Sequence, residues 1–189
     1  MLKDIVKNLE PSSTLRINEI SKQLEKKGKK VFKFGFGQSP FQVPKDIVNE
    51  LKKNAHQNKY LPMQGLNELR TSVAKYTSAK KDYRYKAENV IIGPGSKELM
   101  FLLHVAFNGE IILPAPSWVS YAPQAIIGRN KIKTIQTKKE NNWFPTGPEI
   151  EEIILKDKEK NYLIFLNSPN NPSGQICENL EEISKVVEK

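Results

Sequence analysis

The chain has 189 residues, 38% of them apolar, and carries 30 Lys and Arg against 21 Asp and Glu for a net charge of +9. That is enough for one α/β domain or one and a half with a core, while apolar runs such as 162–166 hold five residues, far short of the ~20 that span a bilayer. One cysteine, Cys177, excludes an intramolecular disulfide or a multi-cysteine metal cluster, and the mixed charges Lys3, Asp4, Lys7 and Glu10 exclude a secretory signal, so the expected compartment is the cytoplasm, with no membrane partner.

The N-terminal region opens with Ser12, Ser13 and Thr14 as candidate helix caps, followed by Ile17, Ile20 and Leu24 at helical spacing and by Gly28 as a stop. Residues 31–36 alternate, with Phe32, Phe34 and Phe36 on one side, and predict a strand. A Gly- and Pro-rich loop over 35–44 follows, and Pro44 can open a helix carrying Ile47, Val48 and Leu51. Leu66, Leu69 and Val73 predict the next helix, and 90–92 a short strand that delivers Gly93-Pro94-Gly95-Ser96.

From there the pattern becomes regular. A helix over 97–107 is followed by a buried strand at 111–113, a helix over 121–127 closed by Gly128, and a strand over 132–137. Pro148 opens a helix with Ile150, Ile153 and Ile154; a strand over 162–166 leads to Asn167-Ser168-Pro169-Asn170-Asn171-Pro172-Ser173-Gly174, and a last amphipathic helix runs from Cys177. This alternation predicts an α/β fold with a largely parallel sheet covered by helices on both faces.

Three loops therefore stand at the C-terminal ends of strands, the edge where α/β sheets bind ligands. Gly95 and Ser96, at a helix start, have the form of an anion site. They do not form a Walker loop, because Gly93-Pro94-Gly95-Ser96-Lys97 is too short and reverses the Lys-Ser order. Gly35-Phe36-Gly37 lacks the third glycine of a dinucleotide fingerprint, where Pro40 stands. Trp118 can stack on a flat ring or serve as core. Asn171 offers an amide donor and acceptor, although Asn-Pro-Ser-Gly alone is a well-formed β-turn. Together the loops suggest a pocket for a flat, phosphorylated ring. The basic residues are dispersed as pairs such as Lys26-Lys27 and Lys138-Lys139, which fits a solvated surface better than a nucleic-acid stripe. His56 and His104 lack metal-ligand spacing.

In order, Ser13-Thr14, 37–44, 60–70 (Tyr-x4-Gly-x3-Leu-Arg), 93–97, 114–121 and Asn170-Asn171-Pro172-Ser173-Gly174 resemble the N-terminal half of a fold type I, class I/II aminotransferase, the aspartate aminotransferase-like family dependent on pyridoxal 5′-phosphate (PLP). The resemblance implies that Gly95, Ser96 and Lys97 bind the PLP phosphate, Trp118 stacks on the pyridine ring, and Asn171 bonds its phenolic oxygen. It implies further that Gly37 contacts the substrate carboxylate and that Tyr60 reaches the phosphate of the neighbouring subunit in a homodimer. It divides the chain into 1–45, a segment of the small domain and substrate pocket, and 46–189, an incomplete PLP-binding large domain. Pro116 and Pro172 match prolines that follow cis bonds, so at least one of these bonds is expected to be cis.

The family's Schiff-base lysine, with its Ser-x-x-Lys setting and following Gly/Arg run, has no counterpart in this chain, and Lys97 occupies the phosphate-loop position instead. The expected parent activity is amino-group transfer between an amino acid and a 2-oxo acid, with this chain incomplete and inactive alone. A PLP-dependent lyase or synthase on the same fold, and a non-catalytic aminotransferase-like module, are the alternatives. Exposed apolar surface and poor solubility are expected of the isolated chain.

Overall fold

A parallel strand is stable when apolar cover lies on both of its faces, and the central strand here has it. The computed structural model describes residues 1–9, 13–34, 37, 39–79 and 83–188. The chain divides into two compact units, one of Met1–Pro11 with Ser96–Lys189 and one of Ser12–Gly95.

The first unit holds helices α1 (Asp4–Lys7), α5 (Ser96–Ala106), α6 (Tyr121–Ile127), α7 (Gly147–Leu155) and α8 (Leu180–Val187), and the second holds α2 (Ser13–Lys26), α3 (Lys45–Asn54) and α4 (Asn67–Ser78). The first unit also contains strands β1 (Glu110–Ala115), β2 (Ile132–Gln136) and β3 (Tyr162–Ile164), all parallel, in the order β2-β1-β3. Ile111 pairs with Ile132 on one side and Leu163 on the other. Because side chains alternate along a strand, Ile111 and Leu113 pack with Tyr121 and Ala125 of α6, and Met100 and Phe107 join them. Ile112 faces the opposite way, with Ile135, Ile150 of α7 and Ile183 of α8. The α/β fold with helices on both faces is as expected.

Burial extends to charge at the start of β1. The Glu110 side chain, 5% exposed, accepts from Lys160 Nζ at 2.8 Å and pairs with Lys133 Nζ at 3.4 Å. Lys133 lies on β2 and Lys160 just ahead of β3, so one carboxylate ties all three strands. The Lys160 hydrogen bond, helped by the charge of Lys133, outweighs burial and holds the Glu110 carboxyl below the usual carboxylate range.

Helix α7 begins earlier than Pro148 suggests. Thr146 caps it through a reciprocal box in which the Glu149 N–H donates to Thr146 Oγ1 and the Thr146 N–H to Glu149 Oε2. Glu182 of α8 adds a third bond, accepting from the Gly147 N–H at 2.8 Å. Helix α8 starts at Leu180 rather than near Cys177, with Asn179 donating to the Pro145 carbonyl. Gly128 follows α6 as expected but keeps φ −67°, and Arg129 takes the left-handed turn at φ 63°. Gly128 is required for space: a Cβ there would lie 2.9 Å from the His104 carbonyl oxygen.

In the Ser12–Gly95 unit, α2 ends at Lys26 and Gly28, φ +75°, follows it, with the Lys29 N–H closing on the Leu24 carbonyl. Pro44 stands just outside α3, at its N-cap position, with no side-chain bond to the helix. The expected strands at 31–36 and 90–92 do not form among the described residues. Phe32 and Phe34 are exposed, so their alternation has no surface to bury against; Gly35 and Phe36, like Gln38, the Ser12 cap and Lys80–Lys81, lie outside the described residues. At 90–92 the backbone polar groups are taken by other partners. The Val90 N–H bonds Ala87, the Val90 carbonyl accepts from Arg70 Nε, and the Ile92 N–H bonds Gln64. The β3 ladder also stops at Ile164, although the Phe165 N–H still donates to the Ile112 carbonyl.

Candidate functional site

The first loop ends in an open helix start. Gly95 has φ +95°, a conformation that favours glycine, and no atom lies within 4 Å of where a Cβ would stand. Ser96 and Lys97, the first residues of α5, are exposed. The opening N–H groups of a helix have no intrahelical acceptor and carry the positive end of its dipole. Gln124, buried on α6, donates its Nε2 to the Lys97 carbonyl at 2.8 Å and so fastens this first turn to the core.

The second loop leaves β1 through a cis Ala115–Pro116 bond. The Ala115 carbonyl is held by the Thr137 backbone N–H and hydroxyl, at 3.0 and 2.7 Å. Trp118 is half-buried: it meets Tyr121 edge-on at 5.4 Å, packs against the Ile111–Leu113 cluster, and has Lys97 Nζ 5.5 Å from its ring centroid. Behind it Tyr121 tilts onto Phe165, which stacks on His104 at 4.7 Å. Burial pushes the Tyr121 hydroxyl pKa up, so it stays protonated. His104 is wholly buried with Nδ1 on the Met100 carbonyl, in keeping with a core residue.

The third loop contains cis bonds at both Ser168–Pro169 and Asn171–Pro172. Both bonds expected to be candidates for the cis form, at Pro116 and Pro172, adopt it, and Pro169 adds a third. Asn171 is exposed, whereas its neighbour Asn170 is buried and donates to the Pro116 carbonyl of the second loop and to Ser173 Oγ. Cys177 lies beyond, its thiol pushed up by burial and its N–H bonded to Ser168, which leaves it a poor nucleophile.

Ser96, Lys97, Trp118 and Asn171 thus belong to loops cross-linked by the Lys97–Trp118 contact and the Asn170–Pro116 bond. Gly95 adjoins Ser96 as the last residue of the other unit, and Gly37 and Tyr60 lie exposed within that unit. Sequence reasoning missed the two buried amides, Gln124 and Asn170, because neither belongs to a chemical motif by itself. Open helix N–H groups, a half-exposed indole and an exposed amide fit an anionic, flat-ringed ligand. Among the described residues no cluster of His, Cys, Asp or Glu fits a metal ion, and no helix is long and apolar enough to cross a membrane.

Residues 29–189 match the aminotransferase class I and II family. A protein of Aquifex aeolicus named as a probable aspartate/prephenate aminotransferase is 33% identical over 97% of this chain and 47% of its own length. The aspartate aminotransferase of Bacillus subtilis is 31% identical over 97% of this chain and 47% of its own. The crystal structure of aspartate aminotransferase from Thermotoga maritima superposes with a TM-score of 0.88 at 26% identity, covering 99% of this chain and 51% of that one. The chain spans about half the length of the curated relatives it matches. With the ordered motifs, the parallel sheet and the cross-linked loops agreeing over nearly its whole length, the chain belongs to the class I and II aminotransferase family.

Proposed function

We propose that the protein is a PLP-dependent aminotransferase moving an amino group between an amino acid and a 2-oxo acid, and that this chain supplies the cofactor cradle. The observation that carries the reading is the open N-terminus of α5 beside Trp118, with Asn171 on the loop tied to it. Backbone N–H groups at Ser96 and Lys97 would bind the phosphate, with the helix dipole behind them, while Gly95, whose own N–H goes to the Gly93 carbonyl at 2.7 Å, would let the ligand approach closely. The Trp118 indole would hold the flat face of the ring, and Asn171 would donate to its phenolic oxygen. When bound, PLP supplies an electron sink that weakens bonds to the substrate α-carbon. Gly37 would meet the substrate carboxylate through its backbone, and Tyr60 would reach the phosphate of a second subunit in a homodimer. Aspartate, named in several relatives, is the first amino donor to test.

Turnover needs a lysine to carry the cofactor and move the α-proton. Lys97, spent on the phosphate loop, does not meet that need, so the 189-residue chain by itself binds but does not turn over. Pyridoxamine 5′-phosphate is the clean probe, because it has no aldehyde to react with surface lysines. Calorimetric titration should give saturable binding that Trp118→Ala and Asn171→Ala each weaken about tenfold, from losing a stacking face or a hydrogen bond. Binding untouched by both substitutions overturns the cradle. Transfer from aspartate to 2-oxoglutarate by this chain alone overturns the proposed lack of turnover.

A further inference from the structure

We propose that Asn170 is a positioning residue that sets the spacing between the Trp118 and Asn171 walls of the site. It is 8% exposed on a loop whose next two residues are exposed. A buried amide must be satisfied, and its bonds divide into two kinds. The Asn170 N–H donates to the Gln175 carbonyl at 2.8 Å, its carbonyl accepts from the Gly174 N–H at 2.7 Å, and Nδ2 donates to Ser173 Oγ at 2.9 Å. These three close the loop on itself. The other Nδ2 hydrogen goes to the Pro116 carbonyl at 3.3 Å, 54 residues away and two residues before Trp118.

One nitrogen with two hydrogens therefore joins the loop after β3 to the loop after β1. A carboxylate cannot do this, because it has no hydrogen to donate and would face the Pro116 carbonyl oxygen with like charge. A hydroxyl is too short and has only one. Asn171 follows directly in the chain, so the anchor of Asn170 fixes where the next amide projects relative to the indole. Asn171 would touch the ligand; Asn170 would act through it. The functional meaning of that spacing rests on the cofactor reading above, but the tie between loops does not.

The test separates the two. Hydrogen exchange read by mass spectrometry on the ligand-free chain should speed up in both 167–175 and 117–121 in Asn170→Asp. Ser173→Ala, which keeps the Pro116 bond, should speed up 167–175 alone. Exchange in α7 and α8 should stay at the wild-type level in both, and Asn170→Ser, without the added charge, serves if the aspartate variant does not fold. Pyridoxamine 5′-phosphate should bind Asn170→Asp about fivefold more weakly, in line with one hydrogen bond. Its absorption band, which reports the ring oxygen's hydrogen bond, should move toward that of the free compound. Exchange confined to the loop's own residues overturns the proposal. Absence of binding in the wild type, with the exchange pattern intact, overturns the cofactor reading while the inter-loop tie stands.

Discussion

The two units of this chain are built from similar sequence patterns and bury very different amounts of themselves. Among the described residues, every buried apolar side chain except Ala74 belongs to the unit of Ser96–Lys189, where a three-stranded sheet has helices on both faces. In the unit of Ser12–Gly95, α3 is amphipathic yet has no buried residue, with Ile47 59% and Leu51 70% exposed. Phe34, Phe41 and Met63 are more exposed still. Periodicity says which face of an element is apolar; it does not say that the same unit covers it. A parallel strand removes that ambiguity, because it draws a helix onto each face. Exposed apolar surface on this scale marks an interaction surface or an aggregation hazard.

The sharpest way to break the comparison is to truncate one apolar residue on each side of it. Ile150→Ala, at a fully buried site, should cost about 2–5 kcal/mol in urea unfolding. Leu51→Ala should change stability by no more than about 0.5 kcal/mol. Equal costs would mean that the second unit buries its helices as thoroughly as the first.

A smaller effect concerns the charge that joins the strands. Glu110→Gln should cost about 1.5–3 kcal/mol at neutral pH, the range for hydrogen bonds to charged groups. The sign of its pH dependence follows from its lowered pKa. A carboxyl that binds its proton more weakly when folded contributes fully above the unfolded value of about 4.3, and that contribution is lost as pH falls through the folded value. Stability measured from pH 7 to pH 3 should therefore fall less steeply in Glu110→Gln than in the wild type. An unchanged acid slope would show that Lys160 and Lys133 are not holding this carboxylate.

The smallest effect sharpens the comparison from the other side. Gly65 has φ +99°, and a Cβ there would sit 2.5 Å from the Ile92 Cβ. Gly65→Ala should cost about 1–2 kcal/mol from the left-handed backbone alone. The unit with little core still contains at least one position fixed by local fit, and an unaltered unfolding midpoint would deny even that.

Much of this was legible in the residues. Helices announced themselves through caps and spacing: Gly28 after α2, Pro44 before α3, Tyr121 to Ile127 for α6. The central strands were legible as short apolar runs. The strands expected at 31–36 and 90–92 do not form among the described residues, because alternation describes a strand's faces while its existence depends on a pairing partner. The chemical loops could be read because glycine, proline, tryptophan and asparagine have distinct uses. Gln124 and Asn170 could not, since their significance lies in carbonyl partners 27 and 54 residues away. The Thr146–Glu149 box was readable from its spacing, but Pro148 drew attention to itself as the helix start.

The strand order β2-β1-β3 makes the middle of the sheet the first strand to be synthesised. The partner of Ile112 across the sheet is Ile164, roughly fifty residues later, and at about 5–20 residues per second on the ribosome that is a wait of several seconds. The contact of Ile112 with Ile183 comes later still. Through that interval the most buried of the described strands has β2 and α7 already made, but its β3 edge is unpaired and its Ile183 contact is missing. Nascent chains stalled before β3 should therefore be the ones that chaperones hold longest, and release should track the emergence of α8.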